Sequence, residues 1–295
     1  MSIEVKDLTY IYDPGTPNEK RALSNVNLTI HKGEFVGIIG HTGSGKSTLI
    51  QHLNGLVKPT SGKVLYDGED IFAEPTAKSK KEARTLKGAK MKRIRQKIGL
   101  VFQYPEHQLF EMTVAKDIAF GPANMGLPQD EIDRRVNEAM QMVGLSEKYK
   151  EKSPFELSGG QKRRVAIAGV LAMQPEYLIL DEPTAGLDPK GRDEILSQIQ
   201  RLQKEQGIAV ILVSHSMEDV AKHVDRLIAM GKGEVRLDGT PEEVFAHGEE
   251  LKAIGLGVPQ VTELGSELEK LGYAIPHAML NLDQMEAYLV EKFKR

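Results

Sequence analysis

Residues 35–47 read FVGIIGHTGSGKS, a short apolar run followed by a glycine-rich loop, and a helical pattern begins at Thr48. Glycines at positions 40, 43 and 45 allow the loop backbone to curl with its N–H groups inward, where they can bond phosphate oxygens. The N-terminus of the following helix adds a positive dipole at the same point. The stretch therefore predicts a strand, a phosphate-binding loop and a helix, in that order.

Two side chains of this loop suit the chemistry of a nucleoside triphosphate. The Lys46 ammonium can neutralise the β- and γ-phosphates, and the Ser47 hydroxyl can ligate Mg²⁺. A glycine-rich turn could match by chance, but this motif is complete and has a strand before it and a helix after it. We expect a nucleotide-binding site built from Gly40, His41, Thr42, Gly43, Ser44, Gly45, Lys46, Ser47 and Thr48.

The composition is that of a water-soluble globular chain. Its 295 residues are 40% hydrophobic, which is enough to fill a sizeable core. No run approaches the ~18 apolar residues of a membrane span, and the first residues lack a secretory pattern, so we expect a cytoplasmic protein. The sequence has no cysteine, so a metal is expected to arrive with the nucleotide. The net charge of −3 argues against a general nucleic-acid binder.

One segment departs from this charge balance. Residues 78–97 contain ten Lys or Arg against a single acid, Glu82. A solvated helical face is the common explanation of such a run. The alternative is attraction to anionic lipid headgroups near a membrane.

The rest of the chain alternates predicted strands with predicted helices. Residues 3–8 and 26–30 alternate apolar with polar side chains, which is typical of antiparallel strands. Apolar runs at 98–102, 177–180 and 208–213 predict buried strands separated by helical patterns. The fold class is therefore α/β, with a mostly parallel P-loop sheet, an antiparallel β subdomain and a helical insertion at about 104–173.

The last part of the chain follows another pattern. Two short strands are predicted at 226–230 and 233–237, followed by a turn and small helices. Glycines and a proline between 255 and 259 precede two amphipathic helices. We expect a nucleotide-binding domain at 1–239 and a small C-terminal α/β extension at 240–295.

Polar residues follow several of the predicted strands. Asp181 ends an apolar strand and can join the Mg²⁺ shell, while Glu182 can orient and deprotonate an attacking water. Gln103 and His215 also follow strands, although a single Gln or His there is more often a polar cap. Tyr12 could pack within its strand or stack on a purine base.

Together these residues carry a resemblance. The motifs GHTGSGKS, LSGGQ at 157–161, LILDE at 178–182 and the tripeptide 186–188, with Gln103 and His215, resemble the nucleotide-binding subunits of ABC transporters over about 3–239. The resemblance implies two subunits that clamp two ATP molecules head to tail. Each site would join the phosphate loop of one chain to the LSGGQ of the other.

The resemblance also implies individual roles. Ser158, Gly160 and Gln161 would contact the γ-phosphate across the dimer. His215 would hydrogen-bond the γ-phosphate, and Gln103 would contact Mg²⁺ and water. Asp188 would bridge the subunits, and Tyr12 would stack on adenine.

A narrower resemblance comes from VFQYPEHQLF at 101–110, LSGGQKRRVAIAGVLA and DEPTAGLDP. These segments are similar to the ATPase subunits of energy-coupling factor (ECF) transporters, and most to the second of the two paralogues. This implies an active ATPase that powers import of vitamins or other micronutrients. It implies as partners an identical or paralogous ATPase, an integral membrane coupling subunit and a substrate-binding membrane subunit. The chain would lie at the cytoplasmic face of the membrane, with residues from about 259 serving dimerisation.

The rival class is a soluble ABC-type ATPase acting on nucleic acid or ribosomes. Chromosome-type members insert a long coiled coil before LSGGQ, whereas only 54 residues separate Gln103 from Ser158. Translation-type members carry two ATPase domains in one chain. A P-loop small-molecule kinase would leave LSGGQ and the strand end at His215 unexplained.

The segment 104–110 is predicted to form part of a groove that grips a helix of a membrane partner. It follows Gln103, so it can respond to the γ-phosphate, and Leu109 and Phe110 are expected to be exposed. The alternative is that these apolar side chains pack into the core of this chain.

Overall fold

Two sheets form the framework of the part of the chain that the computed structural model describes, residues 1–275 and 279–293. The larger has six strands in the order β10-β9-β3-β8-β7-β6, all parallel except β10. Every residue of β3, β7 and β8 is buried, because helices cover both faces of a parallel sheet. The strands are β3 (Phe35–Gly40), β6 (Ile98–Val101), β7 (Tyr177–Asp181), β8 (Ala209–Val213), β9 (Arg226–Gly231) and β10 (Glu234–Gly239).

The smaller sheet is antiparallel and confirms the predicted β subdomain. Its order is β2-β1-β4-β5, where the strands are β1 (Ser2–Tyr12), β2 (Lys20–His31), β4 (Ser61–Tyr66) and β5 (Glu69–Asp70). Helix α1 (Lys46–Leu53) lies between the two sheets. Its Leu49 shares one apolar cluster with Leu8 of β1 and Ile38 of β3, so burial on both sides fixes the start of the helix against the phosphate loop.

The helical insertion forms a layer against the other side of the large sheet. Helix α2 (Lys80–Lys97) precedes β6, and a 3₁₀ turn at Pro105–Gln108 follows it. The insertion itself contains α3 (Val114–Met125), α4 (Gln129–Met142) and α5 (Gly159–Leu171). Helix α4 buries one face, which carries Ile132, Val136, Ala139 and Met140. That face shares an apolar cluster with Leu212 of β8 and with α6 (Pro189–Gln206), and α7 (Met217–His223) follows β8.

The described residues of the C-terminal segment form four helices joined by turns and irregular stretches. Its helices are α8 (Pro241–Ala246), α9 (Gly248–Ala253), α10 (Gln260–Lys270) and α11 (Leu282–Phe293). The sequence predicts both helices and strands for this extension, but its described residues contain helices and no strand. Val244 and Leu251 belong to the main core, and the boundary at 239–240 stays a prediction. Among the described residues, no helix has both the length and the apolar character needed to cross a bilayer.

Candidate nucleotide-binding and catalytic site

The phosphate loop connects the end of β3 to the start of α1, as the sequence predicts. Gly45 has φ 105°, and a Cβ there would lie 2.7 Å from the carbonyl oxygen of Ala22. A Cβ on Gly40 would lie 2.8 Å from the carbonyl oxygen of Met230. Both positions therefore require glycine, because neighbouring backbone occupies the space of a side chain.

Lys46 is buried at the start of α1 and bonds to its own loop. Its Nζ donates to the carbonyl oxygens of Gly40, at 2.6 Å, and His41, at 3.2 Å. Burial lowers the pKa of Lys46, while the carboxyl groups of Glu182 and Asp181 act in the opposite direction. The ammonium thus lies where a phosphate oxygen would be attracted, with loop carbonyls holding it in place.

Asp181 and Glu182 follow one another at the end of β7, and both are buried. Burial raises the pKa of Asp181, an effect opposed by the Ser47 hydroxyl and the Lys46 ammonium. Burial, and secondly the charge of Asp181, raises the pKa of Glu182 to about 7. Glu182 also has φ 51°, a conformation that directs its backbone away from the strand.

His215 follows β8, the strand beside β7. Its Nε2 lies 3.1 Å from Oε1 of Glu182, an approach that lacks the alignment of a hydrogen bond. Burial lowers the pKa of His215, and the nearby Lys46 lowers it further. A mainly neutral imidazole therefore stands beside the carboxyl group, with half of its side chain exposed to an incoming ligand.

One cavity of about 330 Å³ gathers most of the predicted site. Gly40, His41 and Ser44 belong to the loop but do not line this cavity, which also includes Lys20 and Ala22 of β2. Sequence reasoning missed Lys20, because an exposed lysine on a strand carries no signal of its own. The predicted residues that line the cavity are Tyr12, Thr42, Gly43, Gly45, Lys46, Ser47, Thr48, Gln103, Asp181, Glu182 and His215.

Tyr12 lies at the side of this cavity formed by β1. Its hydroxyl is 3.2 Å from Oγ1 of Thr48, and its ring packs edge-on against Tyr10 with centroids 4.8 Å apart. More than a third of the side chain is exposed. The ring is thus held in place while remaining accessible, which suits the predicted stacking on a base.

The LSGGQ residues lie elsewhere in the chain. Ser158 caps α5 by accepting the N–H of Gln161 at 3.4 Å, and the Gln161 side chain accepts the N–H of Ser158 at 3.0 Å. They line a separate cavity of about 520 Å³ with Gly160 and Asp188, and Asp188 also caps α6 by accepting the N–H of Gly191. Within one chain the structure does not bring these residues to the phosphate loop.

Arg163 is a residue that sequence reasoning missed. It lies on α5, only 2% exposed, and its Nη1 donates to the carbonyl oxygens of Pro183, at 3.0 Å, and Ala185, at 2.8 Å. The same guanidinium is paired with Glu106. Burial raises the pKa of Glu106, but the hydrogen bond and charge of Arg163, a backbone N–H and the charge of His107 together outweigh it and leave that pKa below its usual value. No local pattern reveals a link between segments this far apart.

A second cavity, of about 740 Å³, lies beside α2, α3 and α5 and is here called the apolar groove. Its apolar lining includes Met91, Phe110, Phe120, Val165 and Met173. The Phe110 side chain is 57% exposed and packs edge-on against Phe120, with centroids 5.0 Å apart. The expectation that Leu109 is exposed was wrong. Leu109 is 9% exposed and belongs to the main core, because the 3₁₀ turn rotates it inward.

The fold and the first cavity define a phosphate-loop ATPase. The profile of the ABC transporter family matches residues 23–185. The chain is 56% identical over 294 residues to the energy-coupling factor transporter ATP-binding protein EcfA2 of Clostridium tetani, covering 99% of this chain and 98% of that one. It is 57% identical over 292 residues to the protein of that name in Clostridium perfringens, with the same coverage.

Solved structures agree with these relatives. The structure of cbiO1 from Clostridium perfringens, part of the ABC transporter complex cbiONQ, has a TM-score of 0.72 and 42% identity over 90% of this chain and 98% of that one. An ATP-binding cassette solved as a dimer in a post-hydrolysis state has a TM-score of 0.69 and 32% identity over 81% and 98%. The chain belongs to the ABC transporter family and, within it, to the energy-coupling factor transporter ATP-binding proteins. It binds nucleotide and hydrolyses ATP.

Proposed function

We propose that this chain, with Mg²⁺ at its site, powers an ECF importer for vitamins or other micronutrients as a peripheral subunit on the cytoplasmic face of the membrane. The observation that carries the proposal is the single cavity shared by the phosphate loop, Gln103, Asp181, Glu182 and His215. The names of the near full-length relatives favour the importer over a soluble ABC-type ATPase acting on nucleic acid or ribosomes.

The cavity offers the oxygen donors that Mg²⁺ prefers. The Ser47 hydroxyl lies near the Asp181 carboxyl, whose pKa it lowers against the effect of burial, and Gln103 lines the same space. When bound, Mg²⁺ would add positive charge beside the β- and γ-phosphates. Lys46 would exchange its carbonyl partners for phosphate oxygens.

Glu182 is proposed as the general base. Its pKa of about 7 leaves it able to accept a proton from water near neutral pH, which is the range in which a base is most effective. His215 is proposed to rotate from Glu182 towards the γ-phosphate, since its ring is exposed enough to move. That rotation would free the carboxylate to orient the water.

The site is proposed to be completed by a second ATPase subunit, identical or paralogous. Ser158, Gly160 and Gln161 occupy a solvent-accessible helix start that lines a cavity separate from the one at the phosphate loop of their own chain. The free N–H groups at this start would add a second positive dipole to a triphosphate held by the partner. The segment 259–295 is proposed to support this dimer.

The apolar groove is proposed to hold a helix of the integral membrane coupling subunit, which in turn contacts a substrate-binding membrane subunit. Phe110 and Phe120 present aromatic surface to the groove, while Asp117, which also lines it, accepts the N–H groups of Phe110 and Glu111. The groove therefore has an apolar floor on a backbone fixed by hydrogen bonds. This is the arrangement that receives an amphipathic helix.

Purification of the tagged chain from membranes of its own host, in mild detergent, tests the proposal. The expected complex contains a second ATPase and two integral membrane proteins, and in vesicles it takes up a micronutrient when ATP is supplied. Glu182→Gln serves as a matched control that should assemble but not transport. Recovery of the chain alone, with full ATPase activity, would count against the importer.

A further inference from the structure

Helix α2 is long but contributes little to the core. It has 18 residues, and only Ile94 is buried. Most of its surface is therefore open to solvent, and that surface carries most of the ten basic residues of the segment 78–97.

Three cations on one side of α2, Lys87, Lys90 and Lys97, are matched by acids. Lys87 pairs with Glu74 at 2.8 Å, and Lys90 pairs with Glu69 at 2.8 Å. Lys97 pairs with Glu176 at 2.6 Å. Arg93 and Lys80 lie on this side too and form no ion pair with a described residue, although the charge of Arg93 helps lower the pKa of Glu69 after the larger effect of Lys90. The three ion pairs hold the helix against the β subdomain and the core, so folding accounts for the charge of these three lysines.

The other side carries four cations at helical spacing, Lys81, Arg84, Lys92 and Arg95, here called the basic stripe. None of the four forms an ion pair with any residue in 1–275 or 279–293. Lys92 donates to the carbonyl oxygen of Asn124 at 2.6 Å, and Arg95 donates to that of Gly55 at 3.1 Å. A carbonyl satisfies the donor but leaves the charge uncompensated, so this face has unmatched positive charge.

The basic stripe runs along the rim of the apolar groove. Gly88, Lys92 and Arg95 line the groove together with Phe110 and Phe120. Towards the start of the helix, Lys81 lies seven residues before Gly88, which is about 10 Å at 1.5 Å per residue. The charged face therefore continues about 10 Å along α2 past the residues that line the groove.

We propose that the basic stripe binds the anionic headgroups of the bilayer in which the membrane partner of the groove is embedded. Positive charge without matching acids complements a negatively charged leaflet. Between Lys81 and Gly88 this face carries Thr85 and no large apolar side chain that could anchor a protein helix. Long, mobile cations suit headgroups, which diffuse and need no fixed geometry. The inference rests on the proposed function only for the direction in which the groove faces.

Co-sedimentation of the purified full-length subunit with vesicles tests this proposal without the membrane partner. Binding is expected to vesicles of phosphatidylcholine with phosphatidylglycerol and not to vesicles of phosphatidylcholine alone. It should weaken as salt rises from about 0.05 to 0.5 M, because screening shortens the reach of the charges. Millimolar inorganic phosphate should not displace the protein. Displacement by phosphate at constant ionic strength would identify a free anion site and overturn the lipid assignment.

Two variants of equal charge separate the faces of α2. Lys81→Gln/Arg84→Gln/Lys92→Gln/Arg95→Gln is expected to weaken vesicle binding by about 600-fold, since each cation near an anionic surface contributes roughly five-fold. Lys87→Gln/Lys90→Gln/Arg93→Gln/Lys97→Gln removes the same charge from the opposite side and should weaken it much less. Equal loss in both variants would overturn the proposal, because net charge alone would explain it.

A smaller variant guards against misfolding. Lys81→Gln/Arg84→Gln changes side chains that make no side-chain hydrogen bond with a described residue, and it should weaken binding about 25-fold while ATP binding is kept. If this variant binds vesicles normally yet no longer purifies with the membrane subunits, the stripe contacts acidic protein and the lipid proposal is wrong. The proposed role of the apolar groove is tested separately, by whether a Phe110→Glu variant still co-purifies with the membrane subunits.

Discussion

Arg163 and Glu106, 57 residues apart, form a two-point ion pair in which Nη2 and Nε lie 2.8 and 3.2 Å from the two carboxylate oxygens. Glu106 lies three residues after Gln103, and the carbonyls that Arg163 also holds follow Glu182. One buried side chain thus fixes the turn beside the apolar groove and the loop that follows Glu182, the proposed general base.

Replacing Arg163 should therefore affect hydrolysis as well as stability. Arg163→Gln leaves the Glu106 carboxylate and two carbonyl oxygens without their donor, at a cost of roughly 3 kcal/mol and a fall of about 6 °C in melting temperature. We expect kcat to fall more than the affinity for ATP. Arg164→Gln is the matched control, since Arg164 bonds to Val143 and Glu194 and reaches neither loop. A kcat loss of the same size in both would show that destabilisation alone is responsible.

Glu182→Gln should slow ATP hydrolysis by roughly 10²- to 10⁴-fold while ATP binding is retained. The amide keeps the shape of the carboxyl group but cannot accept the proton of water. Single-turnover hydrolysis and nucleotide affinity, measured on the same preparation, check this. Near-normal turnover would remove Glu182 from the role of general base.

The pH dependence of Glu182 has a definite sign. Its folded pKa of about 7 lies above the ordinary value of 4.5, so the folded subunit favours the protonated form. Ionisation of Glu182 therefore lowers the free energy of unfolding. This loss is fully present above pH 7 and disappears as pH falls towards 4.5. Glu182→Gln should therefore raise the melting temperature of the nucleotide-free subunit at pH 8, and much less at pH 5. A larger gain at pH 5 would contradict the assignment.

Mixing two inactive subunits tests the shared site. Ser158→Arg damages the LSGGQ side and Lys46→Ala the phosphate loop, so in a mixed dimer both defects fall in one site and the other is intact. ATPase activity should rise with mixing and reach a maximum at equal amounts. If mixed dimers form without any gain, each site lies within one chain.

Two neighbouring residues, Leu109 and Phe110, give opposite expectations. Leu109→Ala should lower stability by about 3 kcal/mol because it opens a cavity in the core. Phe110→Glu should leave the melting temperature nearly unchanged but abolish co-purification with the membrane subunits, since an unpaired charge would face the docked helix. Thermal melts and pull-down from detergent separate the two. Intact co-purification of Phe110→Glu would remove the apolar groove from the coupling mechanism.

The features that the sequence predicts are coded by neighbouring residues, whereas those that it missed depend on contacts between distant segments or on the local backbone turn. The phosphate loop is contiguous, so its glycines and Lys46 carry their own geometry, and the buried strand before Asp181 is visible as an apolar run. Arg163 was missed because its partners are distant in the chain. Leu109 was misjudged because a 3₁₀ turn, rather than composition, decides which of two adjacent apolar side chains turns inward.

The position of β3 has a consequence for synthesis of the chain. Its neighbours are β8 and β9, and Phe35 pairs with Val210 while Val36 pairs with Arg226. A nascent chain that ends before Ala209 contains the whole GHTGSGKS loop but neither strand that flanks β3. Such long-range pairing makes folding slow and leaves apolar strand surface uncovered in the meantime. The ATP site should thus arise late, after nearly four-fifths of the chain has left the ribosome, while the antiparallel β1, β2 and β4 can pair early.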